Sequence, residues 1–172
     1  MKIGLLGGSF DPAHAGHAHV AETALKRLGL DKVWWLVSPQ NPLKPQSSPL
    51  AQRVASARLM ARGRKMLVTD IEARLGGFYA YQTVRALKRL YPGVRFTFLI
   101  GEDNLANFRR WRNWRELAGS VAFAVIARPG VGLRQMHEMP KHWRFLNARH
   151  CGQSSTALRA RRRTMVAKPG RK

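Results

Sequence analysis

The residues best suited to chemistry lie in one short run, Gly7-Gly8-Ser9-Phe10-Asp11-Pro12-Ala13-His14-Ala15-Gly16-His17. It follows an apolar stretch and opens a helical one. In an open parallel sheet that is a strand's carboxyl end, where ligands bind. Gly7 and Gly8 let the backbone come close to a phosphate, and the helix start offers N–H groups at the positive end of its dipole. His14 and His17 are three residues apart, so both imidazoles fall on one face of a helical turn. Two imidazoles there can donate hydrogen bonds to a triphosphate as its negative charge shifts in a displacement. A surface histidine pair or a metal pair has the same spacing, and Gly-Gly turns follow strands throughout α/β proteins. Zinc is disfavoured, because no cysteine or HExxH-type carboxylate accompanies the pair.

Hydrophobic periodicity supplies the elements that must position this run. Lys2–Gly7 is a short apolar strand, and Ala15–Leu28 has helical spacing at Ala18, Ala21, Leu25 and Leu28, ended by Gly29. Val33–Val37 reads as a strand that carries Trp34 and Trp35 on opposite faces. Ser38–Pro49 holds four of the nine prolines and is an extended loop. Ala51–Ala61 reads as helix, Met66–Ile71 as strand, Tyr79–Leu90 as helix and Val94–Ile100 as strand. A helix over Trp111–Leu117, within a basic helical stretch Arg109–Arg115, and a strand over Val121–Ala127 complete the series. Strands alternating with helices predict an α/β fold, a parallel sheet with helices on both faces. Beyond Pro129 the signal weakens until Ser154–Arg163, a basic helix with a Ser-Ser-Thr start, and a disordered end.

The chain has 172 residues and 31 Lys+Arg against 9 Asp+Glu, a formal charge of +22. Seven of the basic residues lie in Arg159–Lys172, so the preceding residues still carry +15. The folded body is therefore basic, which favours polyanions: nucleotides, nucleic acids or anionic lipids. The longest strictly apolar run, Val121–Ala127, is far below the ~20 residues that span a bilayer. The first residues lack a signal peptide's long apolar stretch, and Cys151 is the only cysteine. A cytoplasmic protein with no membrane partner fits best.

The chemistry-bearing run resembles the nucleotidylyltransferase superfamily, whose HxGH signature stands here as His14-Ala15-Gly16-His17. The wider match is to bacterial nicotinate-nucleotide adenylyltransferases. Their G-G-[ST]-F-[DN]-P-x-H-x-G-H is Gly7–His17, and their N-P-x-K is Asn41-Pro42-Leu43-Lys44. Their G-x-D-x-L-x-x-F-x-x-W is Gly101–Trp111, and their S-[SA]-T-x-[IL]-R is Ser154–Arg159. Four motifs in order cover residues 7 to 159. The resemblance implies a single Rossmann-like domain over residues 1–163, and composition makes 164–172 a basic, disordered tail.

It also implies a reaction: the phosphate of nicotinate mononucleotide attacks the α-phosphate of ATP, giving deamido-NAD and pyrophosphate. The substrate phosphate is the nucleophile, so no activated Ser or Cys is needed. His14, His17 and Arg159 become the catalytic residues, with Mg²⁺ held mainly by ATP phosphates and no protein metal ligand assigned. Gly8, Ser9, Phe10, Gly101, Asp103, Ser155 and Thr156 become the ATP contacts. Asp103 has a competing reading as the N-cap of a helix over Asn104–Phe108. Lys44, Tyr79, Ala80, Thr83 and Trp111 become the contacts to the second substrate, Trp111 by stacking on the pyridine ring. Ala80 departs from the family, which has a threonine there near the substrate carboxylate. Two alternatives use the same fold: an adenylyltransferase for another phosphate acceptor such as phosphopantetheine, and a nucleic-acid-binding module using Arg109–Arg115 and the tail.

Overall fold

The computed structural model describes residues 1–39, 47–76, 79–127, 140 and 142–148. Among these are six strands: β1 Lys2–Gly8, β2 Lys32–Val37, β3 Met66–Thr69, β4 Arg95–Gly101, β5 Ala122–Ala127 and β6 Arg144–Asn147. The helices are α1 Ala15–Arg27, α2 Leu50–Met60, α3 Ile71–Arg74, α4 Ala80–Leu90, α5 Glu102–Asn107 and α6 Trp114–Ser120, with a 3₁₀ turn at Phe108–Arg110. The strands form one sheet in the order β3-β2-β1-β4-β5-β6, and every neighbouring pair is parallel. From β1 the chain winds outward through β2 and β3, then crosses back to lay β4 on the other side of β1. The order reverses between β1 and β4, and in open α/β sheets ligands bind at the carboxyl ends of the strands at such a switch point.

Both sheet faces are covered, which is why the strands are near-continuous apolar runs. Alternate residues part into two cores. Leu5, Trp34, Leu36, Phe98 and Ile100 pack with Val84 and Leu87 of α4, Leu105 of α5 and Leu117 of α6. Leu6, Trp35, Val37 and Leu99 pack with Ala21 and Ala24 of α1 and Ala57 of α2. The expected Rossmann-like α/β architecture is the one observed. Gly29 follows α1 with φ +57°, the left-handed turn that ends a helix without a Cβ penalty. No helix among the described residues is long and apolar enough to cross a membrane.

Four local expectations are corrected. The strand at Met66 stops at Thr69, whose Oγ1 accepts the Ile71 N–H at 3.2 Å and turns the chain into α3. The helix expected from Trp111 starts at Trp114. Trp111 is extended (φ −73°, ψ 139°) and Asn113 is left-handed (φ 51°), so Arg109–Arg115 is not one helix. A helix does follow β4, but Gly101 caps it and Asp103 lies inside its first turn, which removes the capping reading of Asp103. Finally, β6 was not foreseen. It is a four-residue edge strand on β5, carrying a charge at one end and too short for a periodic signal. Asn41–Lys44, Cys151, Ser154–Arg163 and the tail lie outside the described residues.

Candidate active site

Leu6 lies opposite Leu99 in the β1–β4 register, so Gly8 and Gly101 finish their strands side by side. The chain then runs from Gly8 through Ser9–Ala13 into α1 at this switch point. His14 is the N-cap of α1, and its Nδ1 accepts the Gly16 N–H at 3.1 Å. His17 Nδ1 accepts the His14 N–H at 3.2 Å. This is a capping box, a motif ordinarily built from Ser/Thr and Glu/Gln, made here from two imidazoles. A ring nitrogen that accepts a hydrogen bond carries no proton, so each neutral ring is the Nε2–H tautomer. The rings lie 3.9 Å apart between centroids, tilted by 34°. The backbone of α1 thus fixes two adjacent Nε2–H donors at the mouth of the switch point.

The loop that carries them is held from beneath. Phe10 is buried, with φ +48°, a conformation that costs a non-glycine residue on the order of 1–3 kcal/mol. Its ring meets His17 edge-on at 4.9 Å and lies 5.2 Å from Trp35. A Cβ on Gly8 would stand 3.1 Å from that ring, and one on Gly7 3.2 Å from Phe98. The two glycines therefore make room for aromatic rings, a packing requirement in addition to the close phosphate approach expected of them. The Phe10 side chain belongs to the core, which leaves its backbone for the ATP contact expected of this residue. Trp35, to which no role was assigned, stands behind His17 at 6.4 Å.

Sequence reading also missed Arg53, which is 2 % exposed. Its guanidinium donates to four carbonyls: Ser9 at 3.0 Å, Ser38 at 2.6 Å, Pro39 at 2.7 Å and Ser48 at 2.8 Å. One side chain of α2 thus ties the loop after β1 to the loop after β2. Burial lowers its pKa, and Asp11 nearby acts in the opposite sense. Ser56 Oγ accepts the Ala13 N–H at 2.9 Å, and Asp11 Oδ2 accepts the Ser48 N–H at 3.1 Å. The signal was present in the sequence. Residues 50, 53, 54 and 57 have the spacing of a buried stripe, and an arginine interrupts it.

The second group of expected residues lies on the other face of the sheet and meets the first at its carboxyl edge. Trp111 is half-buried, 6.1 Å from Phe98 and 5.4 Å from Phe108. Phe98 is the ring that covers Gly7, so it links Trp111 to the end of β1. Tyr79 caps α4, stacks on Tyr81 at 6.2 Å and lies 5.4 Å beneath the Arg112 guanidinium. Ala80 opens α4. Thr83 differs from expectation. It is 1 % exposed, and its hydroxyl donates to Glu72 Oε1 at 3.1 Å, so it supports α4 from within. Glu72 is itself buried, and that burial raises its carboxyl pKa to about 7. Ser9 is buried with its carbonyl on Arg53, and Asp103 lies in α5 beside Gly101. Lys44, Ser155, Thr156 and Arg159 lie outside the described residues.

Comparison with known proteins agrees with this arrangement. The chain matches the cytidylyltransferase-like family over residues 5–161. A Cereibacter sphaeroides protein (strain ATCC 17025) named probable nicotinate-nucleotide adenylyltransferase is 49% identical over 93% of this chain and 97% of its own. One of the same name from Caulobacter (strain K31) is 54% identical over 92% of this chain and 84% of its own. Among solved structures, the Plasmodium falciparum nicotinic acid mononucleotide adenylyltransferase complexed with NaAD superposes with a TM-score of 0.80. That match covers 92% of this chain and 82% of the other at 19% identity, a likeness of fold. With a family match across nearly the whole sheet and half its residues shared with near-full-length relatives, the chain belongs to the cytidylyltransferase-like family and, within it, to the nicotinate-nucleotide adenylyltransferases.

Proposed function

We infer that the protein transfers the adenylyl group of ATP to nicotinate mononucleotide, forming deamido-NAD and releasing pyrophosphate. The observation that carries this reading is the imidazole pair His14–His17 at the switch point, capped so that both Nε2 atoms carry the proton. A 5′-phosphate oxygen of the mononucleotide forms the new bond to the α-phosphorus, and the bond from that phosphorus to the bridging oxygen breaks. The chain's task is to position the two reactants and to meet negative charge as it moves to the leaving pyrophosphate. The paired Nε2–H groups do this as fixed donors, which need no reorganisation at the moment of displacement.

The crevice between Gly8 and Gly101 is the proposed adenosine side, with Asp103 at the ribose. Ser155, Thr156 and Arg159 are proposed contacts to the ATP phosphates, Arg159 as a charged donor. Trp111, Tyr79 and Ala80 form the proposed pyridine side, and Lys44 approaches the same substrate. Mg²⁺ enters as part of the ATP substrate, on its phosphates. The donor set agrees, since Asp11, the carboxylate of the histidine loop, is turned to the Ser48 N–H. The proposed location is the cytoplasm. The test mixes protein, Mg²⁺ and ATP with nicotinate mononucleotide, nicotinamide mononucleotide or phosphopantetheine and measures pyrophosphate. Release with nicotinate mononucleotide well above the other two is expected. Release only with phosphopantetheine, or with no acceptor, would overturn the assignment.

A further inference from the structure

We propose that the cleft between α4 and α6 is a docking site for single-stranded nucleic acid, separate from the adenylyl-transfer site. The cleft encloses about 240 Å³ and is lined by Tyr81, Arg85, Lys88, Arg89, Glu116 and Ser120. Three cations there face one carboxylate. Lys88 Nζ donates to the Ser120 carbonyl at 2.8 Å, which ties α4 to α6 and holds the cleft's walls together. Arg85, Lys88 and Arg89 stand at i, i+3 and i+4, so they form one cationic ridge, and all three are exposed.

An aromatic ring stands among these charges. Tyr81 lines the cleft itself. At the start of α6, the Trp114 ring centre lies 4.6 Å from the Arg115 guanidinium and 5.8 Å from that of Arg109 in the preceding 3₁₀ turn. A groove that combines cations for a backbone with a ring for a base is the way proteins hold single strands without reading sequence. A membrane surface would instead call for a convex apolar face. Position separates this cleft from the catalytic pair. α4 begins at the carboxyl edge of the sheet and runs back toward the start of β4, so Arg85–Arg89 lie toward the opposite edge. They are also on the face away from α1.

The test is fluorescence anisotropy of a labelled oligothymidylate of about 12 nucleotides with the full chain, at several salt concentrations. Replacing Arg85, Lys88 and Arg89 together by Gln should weaken binding about tenfold or more and reduce the log–log salt slope by about 2. Replacing Arg58, Arg62 and Arg64 by Gln removes the same charge from exposed positions elsewhere and should leave the slope unchanged. Pyrophosphate release should be the same in both triple variants. Tyr81→Leu should weaken oligonucleotide binding about tenfold without altering the binding of inorganic polyphosphate, and Tyr81→Phe should restore it. Equal losses in the two triple variants would reduce the effect to diffuse charge and overturn the site. So would absence of binding, polyphosphate binding as tight as the oligonucleotide's, or a preference for anionic lipid vesicles.

Discussion

The buried Glu72–Thr83 pair makes the stability of this fold depend on pH in a direction opposite to that of most carboxylates. Glu72 is 7 % exposed, and burial raises its carboxyl from the ordinary 4.5 to about 7, while the Thr83 hydroxyl pulls weakly the other way. Between those two values the folded chain holds a proton that the unfolded chain has released. Stability therefore falls as pH rises through that window and levels off above it. From about pH 5 to pH 8 the loss amounts to about 2.5 kcal/mol. Glu72→Gln keeps the side chain's shape and its Oε1 acceptor for Thr83 but cannot ionise.

Urea unfolding of both proteins, followed by circular dichroism, measures the difference. The variant's new amide protons carry a cost of their own, but that cost is the same at every pH. The gap between variant and parent should therefore grow in the variant's favour by about 2.5 kcal/mol from pH 5 to pH 8. In thermal melts that is about 5–10 °C for a chain of this size. A gap that does not change with pH would show that the carboxyl is solvated or otherwise compensated, and would refute the reasoning.

Three further outcomes are expected. His17→Ala should lower turnover by ~10²-fold or more with an unchanged far-UV spectrum, and near-normal turnover would remove the imidazole pair from the mechanism. Arg53→Met leaves four carbonyls without their charged donor and should cost about 3 kcal/mol in urea unfolding; a loss below about 0.5 kcal/mol would mean that the loops hold themselves. Nicotinate mononucleotide should exceed nicotinamide mononucleotide by about tenfold or more in kcat/KM despite Ala80, because an amide presents its NH₂ to donors that suit a carboxylate. Equal values for the two would contradict this, and Ala80→Thr would then show whether the missing hydroxyl is the cause.

The sheet was legible because it is buried on both faces, which leaves apolar runs that stand out against basic surroundings. Trp34 and Trp35 part into separate cores as strand alternation requires. The stretch after β4 was less legible. A short helix, a 3₁₀ turn and a left-handed Asn113 follow one another within residues 102–113, and none is long enough to show a period. At the candidate site, the histidine pair could be read from spacing because both members lie on one helical turn. Its supports could not. Phe10, Trp35 and Arg53 come from a loop, a strand and a helix far apart in sequence, and they meet only when β1 and β2 pair. Gly7 and Gly8 carry a second constraint that their sequence does not show: a Cβ on either would press on Phe98 or Phe10, rings that reach them only in the folded sheet.

Among the described residues, the cations of α4 and the imidazole pair occupy different parts of this fold. Arg53 lies next to the histidine loop, but its guanidinium is held by four carbonyls. Arg85, Lys88 and Arg89 are on the far face of the sheet. What stands at the switch point among the described residues is mostly dipolar: the start of α1 and two imidazoles whose Nδ1 atoms accept backbone N–H groups. Dipoles held in place this way act at short range, and salt screens charges acting over longer distances much more effectively. The part of the proposed site that these residues build therefore depends on geometry within one helical turn. The exposed cations of α4 belong instead to the proposed polyanion site, where charge acts on approach.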